Sequence, residues 1–106
     1  MIGEKTVREI AMVVAENCGC EKIMENKVEK FLCDDYDTIQ RVYQTLAICL
    51  PLQYEISMNA KGRVIEDYGE YKITTYLYTI QIDLKDEMIW SRVFKYQCRT
   101  EEEVEE

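Results

Sequence analysis

The stretch YKITTYLYTIQIDL, residues 71–84, decides the fold because it holds the longest β-strand signal in the chain. Residues 85–87 then form a turn that leads into a second β-rich run, residues 88–99. A two-residue loop would pair Ile82 with Ser91 and mix polar residues into an aromatic face. A three-residue loop avoids this and gives the pairs Leu84/Met88, Ile82/Trp90, Ile80/Arg92, Tyr78/Phe94 and Tyr76/Tyr96. We therefore predict a long hairpin whose even-numbered face is the core.

Two shorter strands are predicted to precede this hairpin. Tyr54, Ile56 and Met58 alternate with polar residues, which is the period of a half-buried strand. Residues 59–62 then predict a turn, and residues 63–67 predict a short strand that ends before Gly69. Together with the hairpin, these segments predict a four-stranded antiparallel β-meander.

The first half of the chain has the apolar spacing of helices. Thr6 and Glu9 fit a capping box at the start of the first helix, which Gly19 is expected to end. A second helix is predicted over residues 21–32, where an apolar stripe has charged residues on either side. These two helices account for the chain as far as the aspartates that begin at residue 34.

A third helix is predicted to begin at a second capping box, Asp37 with Gln40, and to end at Pro51. The expected fold is therefore α+β: three N-terminal helices followed by the four-stranded antiparallel β-meander, with the helices packed on one sheet face. Residues 1–100 form this single domain, and residues 101–106 are expected to be a disordered acidic tail. In outline, an N-terminal helix against four long strands resembles the cystatin-like arrangement, a resemblance of topology that implies no functional residue.

The charge of the chain is unbalanced, with 21 Asp and Glu against 13 Lys and Arg and a formal net charge of -8. Such a surface repels phosphates and anionic lipid, so we expect no direct binding to nucleic acid or membrane. The chain contains no His, which removes the commonest general base and the commonest metal ligand. Motifs for nucleophilic catalysis and phosphate binding are also missing. We therefore expect no enzyme activity, no cofactor and no metal.

The cysteines and the first residues bear on cellular location. The opening residues carry charges where a secretory signal has its apolar stretch, and no apolar run has the length of a membrane span. The five cysteines include no C-x-x-C pair. Cys18, Cys20 and Cys33 could supply part of a zinc site, but their spacing favours small hydrophobic thiols. We expect a cytoplasmic protein in which all five thiols are reduced.

Two clusters of carboxylates are the candidate binding sites for a partner. One precedes the third predicted helix, where its carboxylates could instead cap that helix. The other lies around Gly69, where two tyrosines accompany it. Exposed Tyr supplies contact area at low entropy cost, and carboxylates attract a cationic partner. The predicted partner-binding residues are Asp34, Asp35 and Asp37 in the first cluster and Glu66, Asp67, Tyr68, Glu70 and Tyr71 in the second.

The two faces of the strand predicted over residues 71–84 have different expected roles. The tyrosines that share a face with Ile80 and Ile82 predict core packing rather than nucleobase stacking, because the acidic charge opposes nucleic acid. The opposite face of residues 71–84 carries Tyr71, Ile73 and Leu77, and the sequence does not show what covers it. We expect this strand to bind a partner or to form a homodimer.

These features predict a non-enzymatic protein-interaction module whose acidic surface engages a basic partner, in particular the nucleic-acid-binding surface of another protein. In size, acidity and lack of catalytic groups, the chain resembles DNA-mimic inhibitors from phages and mobile elements, which include anti-CRISPR and anti-restriction proteins. Two alternatives remain open: a small cytosolic regulatory or adaptor subunit, and a metabolite-binding domain or enzyme with a pocket between the helices and the sheet.

Overall fold

The computed structural model describes residues 3–101, which contain two α-helices and five β-strands. Their bounds are α1 Glu4–Asn17, β1 Glu21–Glu25, β2 Val28–Leu32, α2 Tyr36–Cys49, β3 Tyr54–Asp67, β4 Tyr71–Leu84 and β5 Glu87–Glu101. The strands form one mixed sheet in the order β1-β2-β5-β4-β3. The β2–β5 pair is parallel and the other three pairs are antiparallel. The expectation of three N-terminal helices and a four-stranded meander is therefore wrong.

The first error is the helix predicted over residues 21–32, which form the β1–β2 hairpin instead. Asn26 and Lys27 make its turn, both with positive φ (52° and 66°), the geometry that matches the twist of paired strands. Each strand has only five residues. Over so short a stretch, apolar residues three or four apart fit a helix and a strand pair equally well, so the periodicity could not decide between them.

The second error is the turn predicted over residues 59–62, which is a β-bulge inside the long strand β3. Ala60 pairs with Tyr78 and Gly62 with Leu77, so Lys61 is the extra residue. Gly62 has φ 129°, a conformation that residues with a side chain rarely adopt. The two short strands expected on either side are therefore one strand of 14 residues.

The β4–β5 pairing predicted for residues 76–82 is confirmed. The turn over residues 85–86 has two residues rather than three, and both have positive φ. A bulge at Ile89 adds one residue to β5 and restores the register that a three-residue loop would have given. The predicted partner of Leu84 is wrong, because Leu84 pairs with Glu87 before the bulge.

α1 and α2 lie where the first and third helices were predicted, but their N-caps are not the predicted residues. Gly3, without a side-chain cap, is the N-cap of α1, so the expected capping box at Thr6 is wrong. Gly19 has φ 106° just after α1, as expected of a residue that ends a helix. α2 ends at Cys49, and Leu50 is its extended C-cap directly before Pro51, which was predicted to end this helix. Of the helices in residues 3–101, neither is long and apolar enough to cross a membrane.

Both helices pack on the face of the sheet that carries the even-numbered residues of β4. This face contributes Phe31 from β2, Phe94 from β5, and Ile80 and Ile82 from β4, all fully buried. The helix side of this core consists of Val7, Ala11, Ala15, Ile39, Val42 and Leu46. Burial of these apolar side chains is the main stabilising contribution to the fold. The predicted core face of the hairpin is therefore confirmed.

The helices cover only part of this sheet. Residues 61–77 of β3 and β4, together with residues 96–101 of β5, continue beyond α2 and β2 as a three-stranded extension that we call the arm. The molecule measures 65 × 27 × 23 Å, and its radius of gyration is 16.2 Å. A compact chain of this length would have a radius of gyration of about 13 Å. The arm accounts for this elongated shape, since β4 alone spans about 46 Å.

A disulfide joins Cys20 and Cys33, whose Cα atoms are 4.4 Å apart. It lies at the end of the β1–β2 hairpin, next to the Glu21/Leu32 pair. The prediction that all five cysteines are reduced is therefore wrong. The signal was weak in the sequence, because the bond depends on the antiparallel pairing of two strands that were predicted to be one helix. Disulfides are rare in cytosolic proteins, so this bond does not support the cytoplasmic location, which stays a prediction.

Replacing both Cys20 and Cys33 with Ala should lower the free energy of unfolding by about 3 kcal/mol, because the bond closes a loop over a sequence separation of 13. Urea unfolding followed by the fluorescence of Trp90 measures the change. The exposed Cys49 and Cys98 provide the control, since their double Ser variant should change the stability by less than about 0.5 kcal/mol. Equal stability of the original protein and the double Ala variant would contradict the disulfide.

Candidate functional site

The far end of the arm brings the second predicted acidic cluster next to the end of β5. β5 continues beside β4 as far as Glu101, which pairs with Tyr71. The turn between β3 and β4 lies at this same end. We call it the arm tip and define it as residues 66–71 with Arg99 and Glu101. Its carboxylates therefore come from two separate parts of the sequence: Glu66, Asp67 and Glu70 from the turn, and Glu101 from β5.

The aromatic residues of the arm tip are stacked and carry a cation. The rings of Tyr68 and Tyr71 are 5.0 Å apart and nearly parallel, at 21°. The guanidinium carbon of Arg99 lies 4.0 Å from the centre of the Tyr71 ring, within the range of a cation–π contact. Arg99 also donates a hydrogen bond to Glu101 over 2.7 Å. These contacts hold the Tyr71 ring and the Glu101 carboxylate in fixed positions relative to each other.

Local hydrogen bonds fix the turn itself. The Tyr68 hydroxyl donates to Glu66 over 2.8 Å, and this bond to the carboxylate raises the pKa of Tyr68. Asp67 accepts a hydrogen bond from the backbone N–H of Gly69 over 2.9 Å. Gly69 has φ 88°, so the sharp turn uses the conformational freedom of glycine. Because the side chain of Tyr68 remains 52% exposed, the turn is both ordered and accessible.

In the first predicted acidic cluster, Asp35 has a structural role. Asp35 is the N-cap of α2, and its Oδ1 accepts hydrogen bonds from the backbone N–H and the hydroxyl of Thr38, both over 2.7 Å. These bonds hold the pKa of Asp35 below its ordinary value. The cap expected at Asp37 is therefore two residues too late. Asp34 and Asp37 are exposed on either side of the cap and stay candidate contact residues.

The two acidic clusters do not form one site. Tyr36, at the start of α2, contacts the ring of Tyr78 over 5.4 Å. Tyr78 is seven residues along β4 from Tyr71 at the arm tip, a distance of about 23 Å at the rise of a β-strand. A partner that binds the arm tip would therefore need a large footprint to reach Asp34 and Asp37 as well.

A row of tyrosines joins the core to the arm. The ring centres of Tyr78 and Tyr96 are 6.2 Å apart, and those of Tyr96 and Tyr76 are 5.0 Å apart. The rings are stacked in both pairs. Burial, and then the neighbouring Tyr78, raise the pKa of Tyr96 to about 12. Tyr78 and Tyr96 pack against the core, as predicted, whereas Tyr76 is not among the residues packed against it and stacks on Tyr96. Their stacking stiffens the base of the arm.

The opposite face of the sheet, which carries the odd-numbered residues of β4, has no helix on it. Tyr71, Ile73 and Leu77 are half-buried there rather than enclosed. Lys95 crosses this face to Glu25 of β1, with a distance of 2.6 Å between Nζ and Oε1. This hydrogen bond to Lys95 is the largest effect on Glu25 and lowers its pKa. Binding through Tyr71 and Ile73 stays a prediction, because the structure leaves them accessible in part.

Arg92 has a structural role at the border of the core. It lies on the core face of β5, where its guanidinium carbon is 5.4 Å from the centre of the Trp90 ring. It also forms an ion pair with Glu29 of β2 over 3.1 Å. These contacts satisfy the charge at the border of the core, so Arg92 is not a binding candidate.

Two features of the described residues bear on metal and metabolite binding. Within residues 3–101, no three His, Cys, Asp or Glu side chains are grouped so that they could hold a metal ion. The disulfide also takes two of the three thiols that were considered for zinc. A shallow depression of about 300 Å³ lies on the outside of α1 rather than between the helices and the sheet, and is lined by Thr6, Glu9, Ile10, Val13 and Val14. This lining is mostly apolar and includes one carboxylate, that of Glu9.

Sequence reasoning missed two residues of the arm tip, Arg99 and Glu101. The signal existed, because the predicted Tyr76/Tyr96 pairing, continued for five more residues, places Glu101 opposite Tyr71. Residues 102–106, the rest of the predicted tail, lie outside the described residues. The run of glutamates after Arg99 resembled a solvated terminus more than the end of a strand. The arm tip therefore has one more carboxylate than the sequence assigned to it.

Comparison with known proteins identifies no relative: no family model matches the chain, and no curated protein or solved structure gives a significant match. A function must therefore be inferred from the geometry of the molecule itself. The arm tip offers such geometry, because its exposed rings, cation and carboxylates contact one another at defined distances.

Asp35→Ala should lower the melting temperature at pH 7 by about 4–8 °C, the effect of losing one helix N-cap in a chain of this size. The pKa of Asp35 is lower in the folded state than its value of 3.8 in the unfolded chain. The contribution of Asp35 to stability is therefore complete above pH 3.8 and is lost as the pH falls through the pKa of the folded state. The difference in melting temperature between Asp35→Ala and the original protein should therefore become smaller in acid. Thermal unfolding followed by circular dichroism at several pH values measures this.

Asp37→Ala is the matched control for the cap, because Asp37 lies in the first turn of α2 without serving as its N-cap. It should change the melting temperature less than Asp35→Ala does. An Asp37→Ala effect as large as that of Asp35→Ala would contradict the assignment of the cap.

Proposed function

We propose that this chain is a non-enzymatic binding protein that presents the arm tip to a cationic surface of another protein. The observation that carries the proposal is the convergence of carboxylates from the β3–β4 turn and from β5 at one end of a 65 Å molecule. Such a projecting acidic end reaches into a cleft that the rounder body cannot enter. Clefts lined with basic residues also attract acidic groups over longer distances, which speeds association.

The balance of charge at the arm tip supports this proposal. Four carboxylates lie there, whereas Arg99 already contacts Glu101 and the ring of Tyr71. The next four acidic residues of the sequence follow Glu101 directly, at positions 102, 103, 105 and 106. Negative charge is therefore concentrated at this end of the chain, in keeping with a basic partner.

The stacked tyrosines support binding rather than mere solubility. Tyr68 and Tyr71 lie among the carboxylates, and Tyr is enriched at the centre of protein interfaces. Hydrogen bonds to Glu66 and Asp67 already order the turn, so little conformational entropy is lost when a partner binds. A surface that served only solubility would need no such ordered aromatic pair.

A narrower form of the proposal is that the partner's cationic surface normally binds nucleic acid, and that the carboxylates take the place of phosphates there. This inhibitor hypothesis, which includes the anti-CRISPR and anti-restriction classes, requires that nucleic acid and the arm tip compete for one surface. The regulatory or adaptor alternative requires no such competition. Adding duplex DNA to a complex with an identified partner distinguishes the two, because only the inhibitor complex should dissociate.

The test uses a fluorescein-labelled nona-arginine peptide as the cationic probe, with fluorescence anisotropy at physiological salt and without reductant. Reversing three arm-tip charges, with Glu66→Lys, Asp67→Lys and Glu70→Lys, should weaken binding about tenfold or more, because attraction becomes repulsion at the contact. Thermal melts of each variant confirm that the protein is still folded.

The matched control reverses three exposed charges at the other end of the sheet, with Glu55→Lys, Asp86→Lys and Glu87→Lys. The change in net charge is the same, but these sites are several Debye lengths of about 8 Å from the arm tip, so binding should weaken no more than about threefold. Deleting residues 102–106 should leave most of the affinity. Equal losses from both triple variants, or loss of binding on deletion alone, would contradict the proposal.

A further inference from the structure

The outer edge of β3 in the arm has backbone groups without a neighbouring strand. β3 is the last strand in the sheet order. The N–H of Tyr68 donates to the carbonyl of Tyr71 over 2.9 Å, which makes Asp67/Lys72 a pair without mutual hydrogen bonds. Because hydrogen-bonding direction alternates along a strand, the N–H and C=O groups of Asp67, Ile65 and Arg63 all point away from β4.

From this edge we infer that a second copy of the chain pairs with β3 in antiparallel register, about a two-fold axis at Ile65. The inference goes beyond the proposed function, because it concerns the backbone edge of β3 and a different partner, although Asp67 and the Gly69–Glu70 turn belong to both surfaces. In this register Ile65 lies opposite Ile65 of the second copy, and Arg63 lies opposite the second copy's Asp67. Each of these pairs uses only outward-pointing backbone groups, so each exchanges two N–H···O bonds.

The charges select this register among the alternatives. Outward-pointing groups meet when the axis lies at any residue from Arg63 to Asp67. An axis at Val64 places Arg63 opposite Ile65, so no carboxylate lies opposite Arg63, and an axis at Glu66 places two carboxylates opposite each other. An axis at Arg63 places two guanidinium groups opposite each other, and an axis at Asp67 does the same with two carboxylates. Like charges directly opposite on paired strands are destabilising. The axis at Ile65 instead gives two Arg–Asp pairs on either side of an apolar contact.

The side chains on this edge are free to make these contacts. Val64 and Ile65 are large apolar residues that remain 50% and 53% exposed. Arg63 forms no ion pair with any residue in the described part of the chain. Asp67 accepts one hydrogen bond, from Gly69, and a carboxylate accepts several. The same register also places Lys61 of one copy beside the Gly69–Glu70 turn of the other, which adds an attractive charge contact.

The remaining sheet edges fit a second copy less well. β1 has only five residues. On β5, residues 93–95 are already paired with β2, and beyond them Arg99 already contacts Glu101 and the ring of Tyr71. Arg99 therefore has its counter-charge within β5, whereas Arg63 has none among residues 3–101.

Cysteine cross-linking tests the register directly. In a Cys49→Ser, Cys98→Ser background, Ile65→Cys should form an intermolecular disulfide, because hydrogen-bonded partners have Cα atoms about 5.5 Å apart. Val64→Cys is the matched control, since two copies of residue 64 would be offset by two positions and lie about 8 Å apart. Non-reducing gels and intact mass measure the covalent dimer. Cross-linking through Val64→Cys but not Ile65→Cys, or through neither, would overturn the inference.

A charge exchange tests the same pairing without cysteine chemistry. Arg63→Asp alone and Asp67→Arg alone should each weaken dimerisation about tenfold or more, because two attractive pairs become like-charge pairs. The double variant restores opposite charges and should recover the dimer. Sedimentation velocity from micromolar to near-millimolar protein measures the association. A monomer at every concentration, or a double variant no better than the single ones, would show that β3 does not pair in this way.

Discussion

The pairing of β4 with β5 is the constraint on which the rest of the structure depends. It runs without interruption from Leu84/Glu87 at the turn to Tyr71/Glu101 at the arm tip, apart from one bulge. The first half of this ladder supplies the sheet side of the core, with Ile80, Ile82, Trp90 and Phe94. The second half positions the carboxylates and stacked tyrosines. Core and arm tip are therefore parts of one pair of strands, and a slip in its register would disrupt both.

The helices determine where the core ends and the arm begins. α1 and α2 have 14 residues each, about 21 Å, whereas β4 spans about 46 Å. The sheet must therefore extend beyond its cover. In the arm, stability comes from the backbone ladder, from stacked rings and from cross-strand contacts such as Arg99 on Tyr71 rather than from an enclosed core. The same lack of cover makes the arm accessible to other molecules.

The sequence predicted the long β4–β5 hairpin and α2 well and the short β1–β2 hairpin poorly. The β4–β5 register followed from side-chain complementarity over many residues, and α2 ended where Pro51 required. The β1–β2 hairpin was missed, because two five-residue strands give too little periodicity to be told from a helix. At the candidate site, the turn residues were identified from charge and tyrosine content. Glu101 and the Cys20–Cys33 bond depend on which strands lie side by side, which local patterns do not reveal.

The most direct test of this account is whether β5 continues to the arm tip in solution. In an NMR spectrum of the full chain, cross-strand nuclear Overhauser contacts should connect Tyr71 with Glu101 and Ile73 with Arg99. The backbone amides bonded between the strands in residues 71–77 should also exchange slowly with solvent. A contradictory result would be contacts that stop near the Tyr76/Tyr96 pair, with rapid exchange beyond it, since the carboxylates would then not form one ordered site.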